Sequence, residues 1–352
     1  MSLDLRDRAA VTALDPKGMW GLTEKFGDQC RTALRIAREA NLTGLPATPK
    51  NAVLTGLGGS AAGGDFVRAL FDAFGEIPFG VNRDYHLPKW VDAGTLLFAT
   101  SYSGNTEETL SAYADAQAVG APILAVTSGG KLKELAERDG HPVIVVPGGQ
   151  PPRTALGFML IPVLVACEAY GLLPAQDYDR AFDLLDRCAG EWTIEGSDSG
   201  PRDLATAFHG ALPIVYGLGP WQGLIASRWK SQINENSKSH AFVNTFPELN
   251  HNEILAWIDA GNQGVAKYVG AVLEDGTESA KMQTRQRVTE GLVKDLIQFT
   301  TVRAQGEDLL SKLLTLTFYG DFVSLYLSAL NGVDPETIDS INTLKSELAN
   351  VA

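Results

Sequence analysis

Cysteine is scarce in this chain. The three present, Cys30, Cys167 and Cys188, are widely spaced and form no C-x-x-C pair, which argues against a disulfide framework and fits a reducing, cytoplasmic setting. Basic charge is short as well: 29 Lys and Arg against 42 Asp and Glu leave a formal charge of -13. No global basic field draws such a chain to nucleic acid or to an anionic membrane, so any anionic ligand must be held by local geometry. The first eight residues are already charged, without the basic end and apolar core of a signal peptide. The most apolar stretch, 155–173, carries Pro162 and Glu168 and is at the short end of what spans a bilayer, roughly 17–25 residues; it reads as a buried core helix. His86, His141, His209 and His240 show no spacing of the H-E-x-x-H kind, so no metal is expected. What remains is ordinary globular composition, 45% hydrophobic and 20% charged over 352 residues, which excludes intrinsic disorder and suffices for two domains of about 150 residues each.

Short apolar runs alternate with longer helical patterns. Phe26, Cys30, Leu34 and Ala37 recur at helical spacing near the start. Residues 52–57, 95–100, 123–127 and 143–146 then read as strands, with 79–82 a weaker one, and 61–74 and 106–119 as helices between them. Strands this short and apolar on both faces predict a parallel sheet covered by helices on either side. The theme restarts at 212–218, with further strands near 241–245, 265–273 and 297–302. The segment 177–203, acidic and rich in small polar residues, reads as the connector. Val53-Leu-Thr-Gly-Leu-Gly-Gly-Ser60 and Ile214-Val-Tyr-Gly-Leu-Gly-Pro220 open the two halves alike, so the second half is expected to repeat the fold of the first. The tail from Pro335 to Ala352 reads as a final helix carrying Ile338, Ile341, Leu344, Lys345 and Leu348.

Two turns stand out chemically. Gly56-Leu-Gly-Gly-Ser-Ala-Ala-Gly-Gly64 follows a strand and opens a helix, whose unpaired N–H groups attract anions. It is not a G-x-G-x-x-G run, because Ala61 replaces the third glycine, and no acidic residue closes the next strand cleanly, so a dinucleotide cofactor is not expected. The glycines could equally be there only for the bend. The second turn, Thr100-Ser-Tyr-Ser-Gly-Asn-Thr-Glu-Glu-Thr109, crowds hydroxyls that can wrap a phosphoryl group without adding charge. Its competing reading is helix capping, with Ser103 or Asn105 followed by Glu107 or Glu108. Capping accounts for one or two of these residues, not for all the hydroxyls. Both turns leave parallel strands at their carboxyl ends, where open α/β sheets bind ligands, so the two can share one ligand.

Gly58-Gly-Ser60 and Ser101-Tyr-Ser-Gly-Asn-Thr-Glu-Glu-Thr109 resemble the phosphosugar-binding loops of the sugar isomerase (SIS) domain. Asn234-Glu-Asn-Ser-Lys238, followed by Pro247-Glu-Leu-Asn-His-Asn-Glu-Ile254, resembles the bifunctional phosphoglucose/phosphomannose isomerase family of the phosphoglucose isomerase superfamily. The resemblance spans nearly the whole chain. It implies an α/β fold of two SIS-type three-layer domains, each a parallel sheet flanked by helices, at 1–190 and 200–352. It implies interconversion of glucose 6-phosphate, and with it mannose 6-phosphate, with fructose 6-phosphate through a cis-enediol. Gly59, Ser60, Ser101, Ser103 and Thr106 would hold the phosphate in the first domain. Glu235 would be the proton-transferring base and His251 would help open the sugar ring. Arg153, matched through Gly148-Gly-Gln-Pro-Pro-Arg153, and Lys345 of the C-terminal helix complete the implied set. Glu235 and Arg153 are expected to face C1 and C2 across the cleft between the domains. The family further implies a homodimer in which His251 serves the neighbouring subunit's site. No cofactor, nucleic acid or membrane partner is implied.

The chemistry suits these residue types independently. Aldose–ketose isomerisation moves a proton between adjacent carbons, and one partly buried carboxylate can make both transfers, a gain of about 10²–10⁴ in rate. An imidazole titrating near neutrality suits ring opening, with Lys345 as helper. A fixed guanidinium stabilises the negative intermediate. Without the resemblance, Glu235 reads as a solvated helix carboxylate, His251 as a helix cap, and Arg153 and Lys345 as surface charges. Two other readings share the fold: a phosphosugar-binding regulatory SIS protein without turnover, and a glutamine-dependent aminosugar synthase, which needs an N-terminal nucleophilic cysteine where this chain has Ser2. For the second aldose, Thr337 is the candidate small hydroxyl near the C-terminal helix, although Asp334-Pro-Glu-Thr-Ile338 departs from the Asp-Pro-Thr-Pro run expected there.

Overall fold

A computed structural model describes residues 3–45, 48–348 and 350; Ser2, and Ala349, Val351 and Ala352 of the expected C-terminal helix, lie outside them. The chain groups into two compact units. One comprises Lys25–Asp186 with Asp308–Ser311, and the other takes the residues up to Glu24, Arg187–Glu307 and those from Lys312 onward. The first 24 residues thus go with the later half rather than with the residues that follow them. Trp20 supplies one reason: its ring meets Tyr326 edge-on at 4.8 Å and Phe322 at 6.0 Å, and burial of such rings is a large apolar contribution.

The first unit holds strands β1 (Asn51–Thr55), β2 (Phe79–Asn82), β3 (Thr95–Ser101), β4 (Ile123–Thr127) and β5 (Val143–Val145). They form one sheet in the order β2-β1-β3-β4-β5, every pairing parallel. Residues Leu96 to Ala99 and Ile123 to Val126 are wholly buried, which is why these strands lack the alternation of a half-exposed sheet. The helix Phe26–Glu39 buries the expected Phe26, Cys30, Leu34 and Ala37. The apolar stretch 155–173 forms the helix Leu156–Ala169, buried at every residue from Leu156 to Cys167 despite Pro162.

The second unit holds β6 (Leu212–Gly217), β7 (Phe242–Thr245), β8 (Tyr268–Glu274) and β9 (Ile297–Arg303). They pair in the order β7-β6-β8-β9, again all parallel. Both sheets reverse their winding beside their first strand, between β1 and β3 and between β6 and β8, and the repetition expected from the two Gly-Leu-Gly turns is present in the topology.

Three helical segments differ from expectation. Most of the presumed connector 177–203 is helix, Tyr178–Trp192, whose Ala181, Phe182, Leu185 and Cys188 are fully buried; its acidic exposed face conceals that stripe. The 22-residue helix Leu309–Leu330 was not anticipated. It is long and apolar enough by composition to cross a membrane, yet most of it is buried within the protein. The C-terminal helix begins at Asp339 rather than at Pro335 and is described to Leu348, and none of those side chains is buried.

Candidate active site

Strands β1 and β3 flank the point where the first sheet reverses, and crevices of this kind at strand carboxyl ends receive ligands. The glycine turn leaves β1 and opens the helix Gly58–Phe74, whose N-terminus has no side-chain cap. The leading N–H groups of a helix lack intrahelical acceptors and favour an anion. Gly59 has to be glycine for a packing reason: a Cβ there would come within 2.7 Å of the Pro152 carbonyl oxygen and 3.5 Å of Arg153 Cα. That approach sets the glycine turn directly against the 3₁₀ turn Pro152–Thr154, which carries Arg153 almost fully buried, at 5% exposure.

The hydroxyl turn leaves β3 and lies against the glycine turn. Ser60 Oγ accepts a hydrogen bond from the Tyr102 backbone N–H at 3.3 Å, and Thr100 Oγ1 donates to the Thr55 carbonyl at 3.1 Å. Ser101 Oγ and Thr106 Oγ1 are 2.8 Å apart, and Ser101 Oγ also accepts from Gly104 N–H at 3.1 Å. Ser60 and Ser101 are buried, Thr106 is half-buried and Ser103 is exposed, its Oγ accepting from Asn105 N–H at 3.3 Å. The capping explanation of this turn does not hold. Thr106 is the N-cap of the helix Glu107–Ala118 but makes no side-chain cap bond, and Asn105 Oδ1 instead accepts from Lys131 N–H of the adjacent helix Gly130–Arg138 at 3.1 Å. Gly104, at φ +70°, is fixed by its neighbour, since a Cβ there would lie 1.8 Å from the Gly129 carbonyl oxygen. Tyr102 is buried and ties the turn to the loop after β5 by donating to the Pro147 carbonyl at 3.0 Å. Burial pushes its phenol pKa up, so it stays a neutral donor.

Glu235, His251 and Lys345 belong to the second unit. Glu235 is half-buried two residues from the end of the helix Pro220–Ser237. That helix is fixed by a polar ladder: Arg228 and Gln232 both donate to Asp321, at 3.1 and 2.8 Å, and Asn236 Nδ2 donates to Ser324 Oγ at 2.9 Å. Burial pushes the Asp321 carboxyl pKa up, against the pull of Arg228 and Gln232. Lys238, the helix C-cap in the left-handed region at φ +55°, donates from Nζ to the Glu235 carbonyl and, at 3.2 Å, to the Pro335 carbonyl. It thereby joins the Glu235 end of the helix to the segment leading to Lys345. Lys345 itself is exposed, as is Thr337.

His251 stands exposed on the 3₁₀ turn Glu248–His251, while its neighbours carry side-chain hydrogen bonds. Asn250 Nδ2 donates to Thr289 Oγ1 at 2.8 Å. Asn252 Nδ2 donates to Glu248 Oε1 at 3.1 Å. Glu253 accepts from Asn244 Nδ2 at 2.6 Å and from the Tyr216 hydroxyl. The role of Glu253 and its two partners went unread in the sequence; the signal was the second acid of the Glu248-Leu-Asn-His-Asn-Glu253 segment. Among the described residues, no three His, Cys, Asp or Glu side chains gather as a metal site.

The model of the SIS domain matches residues 47–150, and that of the bacterial phospho-glucose isomerase C-terminal SIS domain matches 198–348. The bifunctional phosphoglucose/phosphomannose isomerase of Caldicellulosiruptor bescii is 40% identical over 92% of this chain and 97% of its own length. The enzyme of the same name from Aquifex aeolicus is 35% identical over 85% of this chain and 90% of its own. A hypothetical protein of Thermus thermophilus, known as a crystal structure, shares the fold with a TM-score of 0.74 at 15% identity, over 99% of this chain and 94% of that one. With its two SIS domains and relatives matched almost end to end, the chain belongs to the bifunctional phosphoglucose/phosphomannose isomerase family.

Proposed function

We propose that the protein is an aldose–ketose isomerase that interconverts glucose 6-phosphate and mannose 6-phosphate with fructose 6-phosphate. The observation that carries this reading is the pairing of near full-length family membership with an uncapped glycine turn and a hydroxyl turn at one sheet reversal. The phosphate sits on Gly59, Ser60, Ser101, Ser103 and Thr106. Their N–H and O–H groups supply directed donors where a strongly basic surface is missing, and hydrogen bonds to a charged group are worth about 1.5–3 kcal/mol each.

Glu235 is the base. As carboxylate it takes the proton from C2 of the open-chain aldose, the C1 carbonyl electrons moving onto O1 to give a cis-enediolate; the C2 hydroxyl proton passes to O1, and Glu235 returns its proton to C1 as the C2 carbonyl of the ketose forms. Its half-buried position on an anchored helix suits proton transfer. Arg153 stabilises the negative charge of the enediolate. His251 takes the anomeric hydroxyl proton in ring opening while the ring oxygen gains one, with Lys345 assisting. The exposure of His251 on its own protomer is compatible with service in a homodimer partner's site. The reaction needs no metal and runs in the cytoplasm.

The test is a coupled assay with each hexose 6-phosphate, with and without chelator. Fructose 6-phosphate should form from both aldoses at rates that EDTA leaves unchanged. Binding without turnover would instead identify a phosphosugar sensor, and turnover of glucose 6-phosphate alone would confine the enzyme to one epimer.

A further inference from the structure

The second unit repeats the two crevice-forming turns, and their register is fixed at both. Gly217-Leu-Gly-Pro-Trp221 leads out of the last residue of β6 as Gly56-Leu-Gly-Gly-Ser60 leads out of β1, so Trp221 stands where Ser60 does. Ser279 is the N-cap of the helix Ala280–Val293 as Thr106 is of Glu107–Ala118. Five residues earlier, Glu274 ends β8 as Ser101 ends β3. Glu274 therefore replaces Ser101, Gly276 replaces Ser103 and Glu278 replaces Asn105.

These exchanges remove the hydroxyls and bring in carboxylates. Glu274 is buried and accepts from Arg303 Nε and Nη2 at 2.8 and 2.6 Å, and Asp275 accepts from Lys312 Nζ at 2.8 Å. Ser279 spends its hydroxyl on the cap, accepting from Met282 N–H at 3.4 Å. Glu278 turns back into the crevice. Its Oε1 accepts from Asp275 N–H at 2.7 Å and from Gln222 Nε2 at 3.0 Å, and its Oε2 accepts from Gly276 N–H at 2.9 Å. Gln222 lies on the first turn of the helix Pro220–Ser237 at 3% exposure, and its Oε1 has no partner among the described residues. Two backbone donors from one turn and a buried amide from the other thus converge on one carboxylate, the donor set that a bound oxyanion draws at a turn of this kind.

We propose that Glu278 is an internal anionic ligand, filling in the second unit the place that the sugar phosphate takes in the first, so that the second crevice is shut to phosphosugars by the chain's own carboxylate. The assignment of the first crevice rests on the function proposed above; the occupation of the second by Glu278 does not. With Glu274 and Asp275 neutralised by Arg303 and Lys312, removal of the Glu278 carboxylate leaves unmet donors and no net negative charge among these four side chains. The vacated position then accepts a small oxyanion.

The experiment compares the full-length wild type, Glu278→Ala and Glu278→Gln, with inorganic phosphate as the probe, followed by calorimetric titration and by thermal unfolding. Glu278→Ala should lower Tm by roughly 3–8 °C, recover it saturably with phosphate, and bind one more phosphate per chain than the wild type does. Glu278→Gln, which keeps one acceptor in place, should lose less stability and gain no phosphate. Isomerase kcat and KM should stay within about twofold of wild type in both variants. A Glu278→Ala protein as stable as the wild type, or one destabilised but indifferent to phosphate with unchanged stoichiometry, overturns the proposal. Failure of the first-crevice reading looks different: the wild type would then bind no phosphate that Ser101→Ala removes, whatever Glu278→Ala does.

Discussion

The two sheet reversals differ less in backbone than in chemistry. Each lies between a strand ending in a Gly-Leu-Gly turn and a neighbouring parallel strand, and each is followed by a helix with Thr or Ser as N-cap. In the first, Ser60, Ser101 and Thr106 leave hydroxyls about a helix start that no side chain caps. In the second, Trp221, Glu274 and Ser279 occupy the corresponding positions, the Ser279 hydroxyl serves its own helix cap, and Glu278, standing where Asn105 does, already uses the donors. The parallel α/β scaffold supplies a crevice wherever its winding reverses; whether that crevice binds an anion is decided by three or four side chains.

The sharpest way to break the contrast is to carry one residue across it. Ser101→Glu places in the first crevice the acid that ends β8 in the second, a negative charge against a dianion. KM for fructose 6-phosphate should rise at least a hundredfold, with the fold retained by circular dichroism; an unchanged KM would remove the phosphate from this turn. Ser101→Ala deletes a donor without adding charge, and steady-state kinetics should show a smaller rise in KM, about 10- to 100-fold from the loss of one hydrogen bond to a charged group.

The turn glycines give a second contrast, read as stability. Gly104→Ala forces a Cβ to within 1.8 Å of a backbone carbonyl at positive φ, where nothing can yield. It should cost roughly 3 kcal/mol or more in urea unfolding. Gly276→Ala, at φ +82°, meets only the Arg303 guanidinium at 3.0 Å, a side chain that can swing away, and should cost about 1–2 kcal/mol. The smallest effect separates the N-caps. Ser279→Ala loses a cap bond and should lower stability by about 1 kcal/mol with KM untouched. Thr106→Ala has no cap bond to lose and should raise KM while leaving urea unfolding almost unchanged.

Much of this was legible because each relevant feature is local in sequence. Buried parallel strands announce themselves as short apolar runs, as at Leu96 to Ala99, and the two Gly-Leu-Gly turns disclosed the repeat. Hydroxyl crowding after β3 pointed to an anion, and the structure removed the capping alternative by turning Asn105 toward Lys131 instead. Other features were not local. The helix Leu309–Leu330 is buried nearly all round, with Ser311, Thr315, Thr317, Asp321, Ser324 and Ser328 inside it, so it has neither an amphipathic period nor an unbroken apolar run to mark it. Its Asp321 pairs with Arg228, 93 positions away, and no spacing rule joins them. Glu278 looked like one more acid of a polar turn, because its partners are backbone N–H groups and a glutamine 56 positions distant.

The central claim is that Glu235 is the base that moves the proton in the proposed isomerisation. The most direct measurement is isomerisation and fructose 6-phosphate binding on Glu235→Gln, followed together. The account predicts a loss of kcat of about 10²–10⁴, no solvent deuterium entering C1 of fructose 6-phosphate, and a Kd for fructose 6-phosphate within about twofold of wild type. Turnover at or near the wild-type rate in Glu235→Gln would contradict it.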